Sequence, residues 1–111
     1  MALAAEKCAP CKGEEEKLSS KEVLETIKQV KDWRLQTMET EIFRDFSFKN
    51  FAEAWKFVQK VSSLAEEQGH HPDISFGWGY AEIVLTTHRA GGLTRNDFIL
   101  AAKIDGLAQT A

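Results

Sequence analysis

The sequence predicts an α+β fold: one four-stranded antiparallel sheet with helices packed on one face, in the order α-β-β-α-β-β-α. Three observations lead there. Residues 33–38 with 42–48, and 74–78 with 80–87, read as two pairs of short strands. Between the pairs, residues 51–65 carry apolar side chains at spacings of three and four, the period of a helix. Ser19 with Glu22, and Thr94 with Asp97, each set a capping residue three places before a carboxylate, the signature of a helix start.

Taken in order, residues 1–18 read as a flexible tail, because the stretch from Lys12 to Lys17 is polar and has no apolar period. A single domain over 19–111 follows. Its first helix runs to about Gln29, with Val23, Leu24 and Ile27 on one face. Residues 33–38 alternate like a strand, and residues 42–48 place Ile42, Phe46 and Phe48 on one side. A tight turn near Thr40 and Glu41 joins them. Asn50 caps the long helix, whose stripe is Phe51, Ala54, Trp55, Val58, Val61 and Ala65. Gly69 ends it, and Pro72 biases His71 toward an extended backbone. After the second strand pair, Gly91 and Gly92 make a turn. The last helix carries Phe98, Ala101, Ala102 and Leu107.

Composition narrows the function. A chain of 111 residues, 43% hydrophobic with three tryptophans, can bury one core. The net charge is -3 and the basic residues are scattered, which excludes the clustered basic face that nucleic acid needs. No apolar run approaches the ~18 residues of a membrane span. Residues 1–5 are too short for a signal-peptide core and are interrupted by Glu6, so a soluble cytoplasmic protein is expected. Both cysteines, Cys8 and Cys11, fall in the tail. They are half of a zinc site without a second half, and they lack the βαβ setting of a redox pair. A reduced thiol pair is the simpler reading.

The chemistry concentrates in the three histidines. His70 and His71 are adjacent, and His88 follows the fourth strand. Glu66 lies four residues before His70, so a continuing helical turn would put both on one face. Adjacent histidines point different ways, and His88 meets them if its strand lies beside their loop. Two imidazoles facing one ligand can divide proton transfer, one accepting and the other donating. Each residue also has a purely structural reading. A single histidine is usually a hydrogen-bonded or surface residue, Glu66 a solvated helix end, Asp97 half of a capping box, and Trp78 and Tyr80 packing. Three histidines can hold zinc with an open position, but no His-x-His or His-x3-His pair is present.

The run Glu66-x3-His70-His71-Pro72, then Trp78, His88 and Asp97, resembles the signature of the pterin-4a-carbinolamine dehydratases. Five residues separate Pro72 from Trp78, nine separate Trp78 from His88, and eight separate His88 from Asp97. The resemblance extends over about residues 18–110, including Phe46-x-Phe48-Lys49-Asn50-Phe51 and Gly92-Leu93-Thr94-x-x-Asp97. The Cys-x-x-Cys tail is similar to that of bacterial members. Gly69 departs from members that carry an acidic residue at this position.

The resemblance implies a dehydratase that eliminates water from 4a-hydroxytetrahydropterin, the product left by aromatic amino-acid hydroxylases, without metal or organic cofactor. Carried over by position, His70 and His88 form the principal acid/base pair and His71 assists. Glu66, Trp78 and Thr87 contact the pterin, with Glu66 on its polar ring edge. Asp97 orients His88 or its loop, and Pro72 supports the histidine loop. The resemblance also implies a homodimer or homotetramer, in keeping with a sheet that has two edges to cover. A second function carried by relatives is non-catalytic binding of protein partners, including stabilisation of transcription-factor dimers.

Overall fold

The computed structural model describes residues 3–6, 8 and 17–109. Helix α1, Ser20–Thr26, opens on a complete capping box. The Ser19 hydroxyl accepts from the Glu22 N–H, and the Glu22 carboxylate accepts from the Ser19 N–H at 2.9 Å. The helix tightens into a 3-10 turn over Ile27–Val30. Strand β1 is only Arg34–Leu35, and β2 is Ile42–Ser47. Helix α2 spans Phe51–Gln68, β3 Asp73–Gly77, β4 Tyr80–Leu85 and α3 Arg95–Gln109. The strands form one antiparallel sheet in the order β1-β2-β4-β3.

Three of these elements differ from the sequence reading for identifiable reasons. The first hairpin is not a tight turn at Thr40 and Glu41. Gln36 Oε1 accepts from the Thr40 N–H at 2.9 Å, and Glu39 adopts a left-handed φ of 60°. The side chain of Gln36 thus organises a wider loop and takes residues 36–38 out of the strand. In α2 the buried stripe is Ala54, Phe57, Val61 and Ala65. Phe57 keeps the three-four spacing, while Trp55 is exposed and Phe51 packs on Phe76 with ring centroids 5.5 Å apart. The N-terminal residues that are described are seated rather than free. Leu3 is 3% exposed, Arg95 donates two hydrogen bonds to Glu6, and Lys103 Nζ donates to the Ala4 carbonyl at 2.8 Å. Residues 9–16, including Cys11, lie outside the described residues.

Period two along the sheet sets its two faces. Ile42 and Phe46 from β2 and Ala81, Ile83 and Leu85 from β4 are buried. They share one core with Phe57 and Val61 of α2 and with Phe98, Ala101 and Ile104 of α3. The outer face carries Asp45, Ser47, Tyr80 and Glu82, which are exposed or half-exposed. Phe57 is central, with its ring 4.7 Å from that of Phe46 and 5.1 Å from that of Phe48. Truncating such a side chain costs about 3–5 kcal/mol. A polar clip fixes the other end of α3: Asp105 Oδ1 accepts from Trp33 Nε1 at 2.8 Å and from Arg44 at 2.5 Å. Packing α2 and α3 on the same sheet face sets the C-terminus of α2 beside the N-terminus of α3, where the histidines lie.

Candidate active site

The exit from α2 aims the first two histidines. Gly69 takes a left-handed conformation, φ 67° and ψ 25°, and its N–H bonds back to the Ala65 carbonyl. A left-handed residue favours glycine, so the helix stops here by chemistry as well as by packing. The His70 N–H also reaches Ala65 O, at 3.2 Å. Pro72 then holds the chain extended into β3. The result is two imidazoles with opposite fates: His70 is 4% exposed, and His71 stands in solvent.

This geometry changes the expected partner of Glu66. The helical turn does not persist past Gln68, so Glu66 does not meet His70 four residues on. Its carboxylate instead makes a close hydrogen bond with His71 Nε2, and both side chains are largely exposed. An exposed pair of this kind contributes little stability.

His88 arrives from the other side. Strand β4 ends at Leu85, and His88 begins a 3-10 turn, His88–Ala90. The Thr87 N–H donates to the Gly92 carbonyl at 3.0 Å, and Gly91 caps the turn with φ 75°. This closed loop presents His88 outward. His70, His71 and His88 line one cleft of about 340 Å³, together with Gly69, Thr86, Thr87 and Arg89. Thr86 and Arg89 were not singled out by sequence. Their adjacency to His88 was the only signal for them.

Asp97 lies behind His70. Its side chain is 0% exposed, and its Oδ1 is 2.6 Å from His70 Nε2. With Asp97 ionised and the ring neutral, Nε2 carries the proton and Nδ1 is the ring's acceptor. Asp97 Oδ2 accepts from Thr87 Oγ1 at 2.8 Å and from the Thr94 N–H at 2.9 Å. As the third residue of α3, the carboxylate also sits where a helix N-terminus favours negative charge. Sequence placed Asp97 behind His88 or its loop; the structure places it on His70. Thr87, expected at the ligand, is 2% exposed and turns its hydroxyl to Asp97.

Trp78 is 73% exposed in the β3–β4 turn, at the opposite end of β4 from Thr86 and Thr87. It is not among the residues lining the cleft. Pro72 is half-buried next to the histidine pair. Among the described residues, no three His, Cys, Asp or Glu side chains converge to hold one metal ion. No helix among them is long and apolar enough to cross a membrane.

A family profile described as pterin 4 alpha carbinolamine dehydratase matches residues 16–107. A protein of Methylococcus capsulatus, provisionally named a pterin-4-alpha-carbinolamine dehydratase, is 45% identical over 98% of this chain and 96% of its own length. One from Rubrobacter xylanophilus, named in the same provisional way, is 49% identical over 95% of this chain and 97% of its own. Among solved structures, a transcriptional coactivator/pterin dehydratase from Brucella melitensis superposes with a TM-score of 0.79 at 28% identity. That match covers 84% of this chain and 99% of the other. A pterin dehydratase-like protein identified as a RuBisCO assembly factor in the alpha-carboxysome matches at TM-score 0.60 and 33% identity, over 69% of this chain and 89% of its own.

Proposed function

The chain belongs to the pterin-4a-carbinolamine dehydratase family, and on that premise we propose that it dehydrates 4a-hydroxytetrahydropterin to quinonoid dihydropterin in tetrahydropterin recycling. The observation that carries this reading is the meeting of His70, His71 and His88 in one cleft, with a buried carboxylate on His70. The reaction needs little else. The proton on N5 must leave, the C4a–O bond must break, and the departing oxygen must receive a proton to leave as water. The electron pair released at N5 becomes the N5=C4a double bond. Two imidazoles on opposite sides of the ring supply the acceptor and the donor, each worth ~10²- to 10⁴-fold.

In this reading His70 and His88 are the principal pair. His70 is held by Asp97 and meets the substrate through Nδ1; His88 is exposed at the mouth of the cleft. His71 serves the opposite epimer, and Glu66 both steadies His71 and accepts N–H bonds from the pterin edge. The chemistry calls for no metal or organic cofactor. The cytoplasm is the proposed setting, a dimer or tetramer the proposed assembly, and an aromatic amino-acid hydroxylase the proposed source of substrate.

A second reading is supported by the likeness to the RuBisCO assembly factor: a protein-binding module of the same fold without catalysis. Following the decay of freshly made 4a-hydroxytetrahydropterin by ultraviolet absorbance separates the two. Catalysed decay that is lost in His88→Ala supports the dehydratase. Decay at the spontaneous rate with folded wild-type protein overturns it in favour of the binding module.

A further inference from the structure

We propose that Thr87 and Thr94 are positioning residues, whose hydroxyls form a one-way chain of donors that holds Asp97 as an acceptor and fixes His70 as its Nε2–H tautomer. Its structural part stands on geometry alone; its kinetic part rests on the dehydratase reading.

The direction of the chain follows from counting protons. The Thr94 N–H points at Asp97 Oδ2 from 2.9 Å, and a backbone proton cannot turn away. Thr87 Oγ1 lies 2.8 Å from the same oxygen. It has one proton to give, and giving it elsewhere would set two acceptors face to face. Thr87 therefore donates to Asp97. Thr94 Oγ1 lies 2.9 Å from Thr87 Oγ1, and with the Thr87 proton already committed, Thr94 is the donor between them. Two donors already occupy Oδ2, so a proton on Asp97 could sit only on Oδ1, facing His70 Nε2. Hydrogen bonds to Oδ2 favour the ionised carboxylate and leave that shared proton on the imidazole. Every contact thus leaves Asp97 accepting, and the remaining oxygen, Oδ1, accepts from His70 Nε2.

Both hydroxyls are diverted from simpler work. Thr94 stands just before α3, where a threonine hydroxyl usually accepts from the third helical N–H. Here the Asp97 N–H bonds to the Thr94 carbonyl at 3.1 Å, and the hydroxyl is turned to Thr87. The loop after β4 is closed by the backbone of Thr87, whose N–H and carbonyl reach Gly92, Ala90 and Gly91. Its hydroxyl is therefore free for the carboxylate. Both threonines are 2% exposed and their hydroxyls are engaged with each other and with Asp97, so neither is left to bind a ligand. What reaches the cleft is the consequence: a His70 ring with a fixed orientation and Nδ1 as its open lone pair.

The test uses the full chain with ¹⁵N-labelled imidazoles, in wild type, Thr87→Val, Thr87→Ser and Thr94→Ala, with His70→Gln to assign the His70 resonances. Ring-nitrogen shifts report which nitrogen carries the proton. The expected result is a single Nε2–H tautomer in wild type and Thr87→Ser, and a tautomer mixture in Thr87→Val. Thr94→Ala, which keeps the Thr87 hydroxyl, is expected to show the same mixing to a smaller degree. If Thr87→Val does not fold, as near-ultraviolet circular dichroism would show, the Thr94→Ala spectrum decides. An unchanged tautomer in the folded variants overturns the proposal whatever their activity. In dehydratase assays kcat falls at least about tenfold in Thr87→Val with KM unchanged, and Thr87→Ser restores it. An intact tautomer pattern in a wild type without dehydratase activity would sink the proposed function and leave the donor chain standing.

Discussion

His70 and Asp97, 27 residues apart, meet through a 2.6 Å contact that is closed to solvent on both sides. The pair joins the end of α2 to the start of α3, so the packing of two helices sets the orientation of one imidazole. A residue that only held the fold would need neither the carboxylate nor the ring. A residue that only caught ligand would not be buried.

Replacing Asp97 by asparagine tests this division. The side chain keeps its size, but an amide can present N–H where His70 and the Thr94 backbone also present N–H. We expect dehydratase kcat to fall about 10²-fold or more. A buried donor left unmatched costs about 1–3 kcal/mol, so the urea midpoint should fall as well. Steady-state assays and urea titration check both. Wild-type kcat in Asp97→Asn would remove Asp97 from the mechanism.

His70 and His88 should separate stability from rate. The His88 ring is exposed and makes no described side-chain hydrogen bond, so His88→Ala should alter stability by less than about 0.5 kcal/mol. The same truncation at His70 takes a hydrogen bond from the buried Asp97 carboxylate and should cost at least about 1.5–3 kcal/mol. Both variants should lose at least about tenfold in dehydratase rate. Denaturant titrations beside kinetics give the contrast, and equal stability losses would contradict the burial difference.

The order of elements, both strand pairs and the Ser19–Glu22 capping box were legible in the sequence, because each rests on spacing within a few residues. The approach of His88 to the histidine pair was anticipated only as a condition on strand placement, and the sheet order meets it by setting β4 beside β3. What spacing could not show was which partner each side chain takes. Asp97 and His70 meet through the packing of α2 and α3, which no local period encodes. Glu66 pairs with His71 because the left-handed turn at Gly69 breaks the helical phase. Leu3 is buried although its neighbours carry no periodic pattern, because the 3-10 turn Leu3–Ala5 is seated on α3 by that side chain together with the Glu6–Arg95 and Ala4–Lys103 contacts, for which the sequence holds no local signal.

Gly69→Ala isolates the backbone turn. Beyond its chain neighbours, no atom lies within 4 Å of where a Cβ would stand, so the change meets no tertiary contact. The penalty is conformational, because φ is +67°, and should be about 1–2 kcal/mol. The same strain acts on the aim of His70 and His71, so kcat should drop while the fold persists. Gly69→Asn, which tolerates the left-handed region better, should lose less on both counts. Equal effects of the two substitutions, by denaturant titration and assay, would show that the turn is not what matters.

Asp105 links stability to acid pH at the far end of α3. Burial pushes its carboxyl above the ordinary aspartate value, outweighing the hydrogen bonds from Trp33 and Arg44 that act to lower it. Between the unfolded value and the raised folded value, the folded chain binds more protons than the unfolded chain. The stability contributed by the protonated form is therefore complete below the unfolded value and is lost as pH rises through the folded one. Asp105→Asn keeps an oxygen for the Trp33 indole and removes the titration. The stability of wild type minus that of the variant should thus fall with rising pH across this window, and level off above it. Urea unfolding at a series of mildly acidic pH values measures the difference directly. A difference that rises with pH would mean that the Arg44 contact outweighs burial, reversing the sign of the linkage.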